Sequence, residues 1–125
     1  MTTPDAWATL RNDPRPGPVQ MLNLLRFRRD ESGNTSGQVT YAAYGKATAP
    51  IFARVGGRIV WMGQPEQMLI APPDEAWDLA FLAEYPSIAA FLEMLDDPDY
   101  RAAMSLREAA LADSRLIRLA PLPVG

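Results

Sequence analysis

Seven side chains in this 125-residue chain have a type and a placement that could do chemistry. Asn23 is an amide inside an otherwise apolar run, Met21-Leu22-Asn23-Leu24-Leu25. It could donate to a ligand oxygen or equally satisfy a neighbouring loop backbone, because a buried polar group needs a partner. Tyr41 and Tyr44 stand about one helical turn apart, so their rings share a face and their hydroxyls reach its rim, as core aromatics or as ligand donors. Arg58, directly after Gly56-Gly57, and Arg107, near the C-terminal end, are the cations best placed to enter a cleft, where a guanidinium clamps a carboxylate or a phenolate. Either could instead form a structural pair with Glu84, Asp78 or Glu108. Trp61 is a stacking platform, or simply core or interface. Glu84 is a general base if desolvated and an ordinary surface acid if it faces water.

Composition narrows what these residues can be asked to do. The chain has no cysteine, hence no disulfide framework, no thiolate nucleophile and no Cys-ligated metal or iron–sulfur cluster. It has no histidine either, which removes the Ser-His-Asp triad, His-ligated haem and the imidazole base. A haem would have to be held by Tyr or Met. Asp96, Asp97 and Asp99 form an acidic cluster that invites a divalent metal, but capping and the helix dipole account for acids at a helix start. Gly56-Gly57 is too short for a phosphate loop and precedes a strand. No cofactor and no metal are expected. With 12 Lys plus Arg against 15 Asp plus Glu, the net charge of -3 gives no attraction to nucleic acid or to an anionic membrane. No run approaches about 18 apolar residues and the N-terminus lacks a charged start before an apolar core, so a cytoplasmic protein is expected.

The elements that must position these residues are readable from pattern. Thr3-Pro4-Asp5 suits the start of a short helix to about Leu10, followed by a proline-rich connector. Val19 to Phe27 is apolar on both alternating sets, the mark of a strand covered on both faces. Arg28 to Gln38 reads as a polar loop. From Thr40, a candidate N-cap, Tyr41, Tyr44, Thr48, Ile51, Phe52 and Val55 recur as one helix face, with Pro50 expected to kink it and Gly56-Gly57 to stop it. Arg58 to Gly63 and Gln67 to Ala71 read as a strand interrupted near Pro65. Trp77 to Tyr85 alternates as another strand. Ser87 caps a helix Ile88–Leu95, Asp97-Pro98-Asp99 starts a second to about Ala112, and Arg115 to Leu119 is the last strand. Residues 1–18 are an N-terminal appendage and 19–125 one domain of order β-α-β-β-α-β. The expected class is α+β and ferredoxin-like, a four-stranded antiparallel sheet with helices on one face. Since the strands are apolar on both alternations, the second face needs a cover. A second copy packed sheet to sheet, a homodimer with a barrel-like interior, is the simplest one.

The run Met21-Leu22-Asn23-Leu24-Leu25-Arg26-Phe27, then Tyr41-x-x-Tyr44 with Pro50 and Gly56-Gly57-Arg58, then Tyr85-Pro86-Ser87, Asp97-Pro98-Asp99-Tyr100 and Arg107 resembles the family called domain of unknown function 1330. The resemblance runs from about Val19 to Leu119 and implies the dimeric α/β-barrel superfamily, with no assigned activity. Members often carry histidine just before the arginine matching Arg107, where Ser105 and Leu106 stand here. The wider superfamily includes cofactor-independent monooxygenases, isomerases, haem enzymes and ligand sensors; such kinship is analogy.

Two functions follow as expectations. One is a cofactor-independent enzyme of the monooxygenase or isomerase kind, using Asn23, Tyr44, Arg58 and Arg107 to stabilise an enolate or phenolate, with only Glu84, Asp78 or a tyrosinate available as base. The other is a non-catalytic dimer that binds an apolar or aromatic acid in the same pocket between sheet and helices. Nucleic-acid binding, which the strand order also permits, is disfavoured by the acidic balance and the lack of a Lys/Arg-Gly-aromatic run.

Overall fold

The computed structural model describes residues 4–124, so the expected cap at Thr3 lies outside the described residues. In chain order the elements are α1 (Pro4–Arg11), β1 (Val19–Phe27), α2 (Ser36–Arg54), β2 (Arg58–Gly63), β3 (Leu79–Tyr85), α3 (Ile88–Asp96), α4 (Pro98–Ala110) and β4 (Leu111–Leu119). The strands make one sheet in the order β2-β3-β1-β4, every neighbouring pair antiparallel. This is the ferredoxin-like α+β arrangement with a split second helix.

Side-chain alternation divides the sheet into two unlike faces. Register lines cross all four strands, and one of them joins Met62, Phe81, Asn23 and Leu116; its neighbour joins Ile59, Ala83, Met21 and Arg118. These look toward the helices, where Met21, Ala83 and Tyr85 share a core with Tyr44, Ile51, Phe91, Met94 and Tyr100. Lines of the other parity join Trp61, Leu82, Leu22 and Ile117, and Arg58, Glu84, Gln20 and Leu119. Among the described residues no helix covers that second face, and Trp61 is 55% exposed there.

Several boundaries differ from those expected. Helix α2 begins at Ser36, so Thr40 lies inside it and is no cap. Thr35 occupies the cap position, but its hydroxyl donates to the Gln38 side chain and accepts no helix amide. The start is set by tertiary contact: the Gly37 amide donates to the Arg28 carbonyl and the Arg28 amide to that of Ala110. A Cβ on Gly37 would sit 2.0 Å from the Ala110 carbonyl oxygen, so only glycine lets α2 begin against the α4–β4 junction. Residues 67–71 are not a strand. Leu69 and Ile70 are 82% and 99% exposed, in a segment bounded by Pro65 and Pro72-Pro73, which lack the donors that a ladder requires. Strand β3 begins at Leu79 instead of Trp77, because the Asp78 carboxylate takes over the Phe27 amide. Helix α4 stops at Ala110 and β4 starts at once, four residues before the expected Arg115. The cause is Leu111, which pairs with Phe27 and packs with Leu25 and Ala110 in a second small core.

Other punctuation stands as expected. Ser87 accepts from the Ala90 amide, Asp97 from those of Asp99 and Tyr100, and Gly56 adopts φ +85° after α2. Pro50, expected to kink α2, lies inside a helix that runs unbroken from Ser36 to Arg54. The N-terminal appendage packs onto the domain: Leu10 enters the main core, the Trp7 ring stacks on Phe91 and Arg11 pairs with Asp96.

Candidate functional site

Between the helix-facing side of the sheet and the helices lies a cavity of about 1220 Å³. Helix α2 presents residues three and four apart to it, bringing Tyr41, Tyr44 and Thr48 onto one wall. Helix α4 contributes Tyr100, Met104 and Arg107 by the same rule. Strand β1 provides Asn23 between Met62–Phe81 and Leu116 on its register line, so this amide sits in the middle of the cavity floor. Trp7 of α1 closes one side.

Four of the seven singled-out residues, Asn23, Tyr41, Tyr44 and Arg107, therefore line one cavity. The other three are placed elsewhere. Arg58 and Glu84 face each other across β2 and β3 on the helix-free side and form an ion pair of 2.8 Å, to which Gln20 adds a hydrogen bond of 2.9 Å. Trp61 is on that side too, opposite Leu82. Two cavity residues were not singled out from the sequence, Tyr100 and Trp7. The signal for Tyr100 was present: it precedes Arg107 by two helical turns and shares its face, but it reads first as part of the Asp-Pro-Asp helix start.

The polar centre is a chain of phenols. The Tyr44 and Tyr100 hydroxyls lie 2.5 Å apart, both residues buried, and the Tyr41 ring stands 5.3 Å from that of Tyr44, centroid to centroid. Burial pushes the Tyr41 phenol up to about 12, with the Arg107 guanidinium pulling the other way and Tyr100 reinforcing the rise. Tyr44 is driven up further, by burial first and then by Tyr100, again against Arg107. Arg107 is thus near enough to act on both phenols. These tyrosines stay protonated, and a protonated phenol is a donor, not a base.

Arg107 is unlike the chain's other arginines. Each of the other ten donates to a carboxylate or a backbone carbonyl, whereas Arg107 has no hydrogen-bond or ion-pair partner among the described residues. The acids are taken up by those other arginines. Asp96 pairs with Arg11 and Arg101, Asp97 with Arg54, Asp78 with Arg29 and Asp13 with Arg15 and Arg118. Glu84, once the candidate base, is held below its usual range by Gln20 and then Arg58. Among the described residues no group of three acids is arranged to hold a metal ion. Asn23 spends one amide N–H on the Met21 carbonyl at 3.2 Å.

Fold and cavity together define a ferredoxin-like α+β domain with a helix-side cavity, carrying a cation and neutral phenols. The chain belongs to the family of the domain of unknown function DUF1330, whose model matches residues 34–119. Two crystal structures of the RPA0582 protein of Rhodopseudomonas palustris, described as of unknown function, resemble it throughout. One is 52% identical with a TM-score of 0.89, covering 99% of this chain and 97% of its own. The other, of the methylated protein, is 50% identical with a TM-score of 0.90, covering 100% and 96%. More distant structures share the fold. A dimeric ferredoxin-like protein of unknown function from Thermobifida fusca is 19% identical, with a TM-score of 0.54 over 86% of this chain and 93% of its own. SnoaB of Streptomyces nogalater, a cofactor-independent oxygenase, is 16% identical, with a TM-score of 0.59 over 86% and 96%. No curated protein matches.

Proposed function

We propose that this chain is a cytoplasmic homodimer whose helix-side cavity binds a small apolar or aromatic acid, with Arg107 receiving the anionic group. One observation carries the reading: a guanidinium without a partner among the described residues, in a cavity lined mainly by aromatic and aliphatic side chains, where Asp113 and Arg115 pair with each other and the Tyr41 and Tyr44 phenols stay neutral. A half-buried cation of that kind is satisfied by an anionic ligand. The apolar walls, Phe81, Phe91 and Met104 among them, favour a ligand that is hydrophobic apart from its charged end.

Support for the homodimer is the helix-free face. Its apolar line Trp61–Leu82–Leu22–Ile117 crosses every strand, and the exposed Leu69 and Ile70 add further apolar surface in the same chain. Large exposed apolar patches mark association surfaces, and a twofold pairing covers one with its own copy. The Thermobifida fusca neighbour, described as dimeric, agrees.

A second reading is cofactor-independent catalysis, the activity printed for SnoaB. It is favoured by the donor cluster, which is arranged to stabilise negative charge developing on a ligand oxygen. The test of the main reading is calorimetric titration with benzoate and with benzamide, its neutral counterpart. Benzoate should bind more tightly, and Arg107→Gln should weaken it by about ten- to a hundredfold, the worth of a charge-assisted hydrogen bond. Equal binding of both compounds, or of benzoate to parent and variant, refutes it.

A further inference from the structure

The cavity has a second polar station, apart from Arg107 and the phenols. Much of its polar lining is spent within the chain: Asp113 pairs with Arg115 and Arg118 with Asp13, while the Thr9 and Thr48 hydroxyls donate to the Asp5 and Tyr44 carbonyls. Arg107, Tyr41 and the Tyr44–Tyr100 pair form one group on the helix wall, and the Tyr85 phenol, driven up by burial and then by Tyr100 and Tyr41, belongs with it. The remaining unspent groups are on the sheet. Asn23 gives one amide hydrogen to the Met21 carbonyl at 3.2 Å, which leaves its second amide hydrogen and its own carbonyl without a partner among the described residues. Ser114, whose backbone amide donates to Asp113, keeps its hydroxyl free of any such partner too. Asn23 pairs with Leu116 and Ser114 with Leu25, so the two are diagonal neighbours on the cavity side of the sheet.

Packing alone gives no reason for an amide here. The register line of Asn23 is otherwise Met62, Phe81 and Leu116, and its same-face neighbours Met21 and Leu25 are 2% and 0% exposed. A leucine would continue that surface, whereas an amide set in it carries a desolvation cost that one hydrogen bond returns only in part. The cavity, at about 1220 Å³, is also larger than the ~300–1,000 Å³ of ordinary small-molecule sites, so it has room beyond a ring and its carboxylate. Resting on the acid-binding reading above, we infer that the acid carries a second, neutral polar group, a hydroxyl, which Asn23 and Ser114 take up while Arg107 holds the carboxylate. A hydroxyl both donates and accepts, which matches the carbonyl and the N–H that Asn23 has left. The ligand class is a hydroxylated apolar or aromatic acid, charged at the helix wall and neutral at the sheet floor.

The experiment is calorimetric titration of the full-length protein at pH 7, where a carboxyl is ionised and a phenol is not. The probes are matched acids: 3- and 4-hydroxybenzoate against 3- and 4-methylbenzoate, and the longer 3- and 4-hydroxycinnamate against their methyl counterparts. At least one hydroxy acid should bind about three- to tenfold more tightly than its methyl counterpart, the worth of one neutral hydrogen bond. In Asn23→Leu that advantage should vanish while the methyl acid binds as before; Asn23→Ala serves where leucine crowds the floor. In Arg107→Gln both members of a pair should weaken together, so the advantage persists. Methyl acids that bind as tightly as hydroxy acids throughout, or a hydroxyl preference that survives loss of the amide, overturn the inference and leave the acid-binding reading standing. Binding of none of the acids overturns both.

Discussion

The Tyr44–Tyr100 hydroxyl pair predicts a pattern in a double-mutant cycle that no additive account gives. Both residues are nearly buried, at 7% and 8% exposure, and their hydroxyls are 2.5 Å apart. Replacing either with Phe removes one hydroxyl and leaves the other without its partner among the described residues. That orphaning costs about 1–2 kcal/mol, at the lower part of the range for a buried polar group because the cavity admits water. For a domain of this length, each kcal/mol lowers Tm by about 3–5 °C, so a single variant should lose about 3–10 °C. Replacing both removes the orphan as well as the bond. The double variant should then be no less stable than the worse single one, with a coupling of about 1 kcal/mol. Guanidinium unfolding without ligand, at one fixed subunit concentration so that association does not shift the midpoint, measures it. If the double variant loses the sum of the single losses to within about 0.5 kcal/mol, the hydroxyls are not coupled and the phenol chain does not exist as described.

Three further outcomes follow from other contacts. Gly37→Ala forces a Cβ to 2.0 Å from the Ala110 carbonyl oxygen and 2.7 Å from the Arg28 amide nitrogen, so the variant should lose about 1–3 kcal/mol in denaturant unfolding; unchanged stability would show that α2 does not start against that junction. Trp61→Glu places a charge in the apolar line Trp61–Leu82–Leu22–Ile117, and light scattering after size exclusion should give a monomer where the parent gives a dimer; a dimeric variant places the interface elsewhere. The alkaline limb of stability should fall as the pH rises above about 10. The native phenol of Tyr41 is raised to about 12 from 10.0, and Tyr44 and Tyr85 are raised as well, so the native state keeps protons that the unfolded chain releases. That contribution is complete below the unfolded value and is lost on the way up to the native one. Tyr41→Phe should flatten the slope, and a spectrophotometric titration with all four tyrosines ionising near 10 would contradict it.

What could be read from the sequence was whatever depends on local pattern. The alternation in Met21–Phe27, the caps at Ser87 and Asp97 and the left-handed stop at Gly56 all act within a few residues, and they define the ferredoxin-like order. What could not be read depends on partners far along the chain. Arg58 and Arg107 look alike in sequence as candidate ligand cations, yet strand register points Arg58 at Glu84 on the helix-free face, while helical phase carries Arg107 to the cavity. Residues 68–70 carry apolar side chains suited to a strand, but a strand also needs a neighbour with free backbone groups, and the flanking prolines deny one. The start of β4 is masked in the sequence by the weak strand propensity of Ala112, Asp113 and Ser114. Its pairing with β1 and the burial of Leu111 override that. Trp7 reaches the cavity only because Leu10, the Arg11–Asp96 pair and the Asp13–Arg118 pair hold α1 and its connector on the domain, three contacts made across long stretches of chain.

The distribution of charge limits what chemistry the cavity could support on its own. The carboxylates that could serve as bases are on arginines: Glu84 on Arg58 across the helix-free face, Asp78 on Arg29 with the Phe27 amide, and Asp113, which lines the cavity, on Arg115, which holds it below its usual range. The Tyr41, Tyr44 and Tyr85 phenols, which line the cavity, are shifted in the direction that keeps their protons. Any reaction begun by removing a ligand proton must therefore rely on the acidity of the ligand, enhanced by the donors that receive its anion. The cavity supplies stabilisation of a charge and not a group to create it. A ligand that ionises readily in water meets that requirement and a weakly acidic carbon does not. Should turnover be found, its rate should follow the acidity of the substrate across a series of phenols and be insensitive to Glu84→Gln. A large loss in that variant, with its fold intact, would place a base where the geometry puts none.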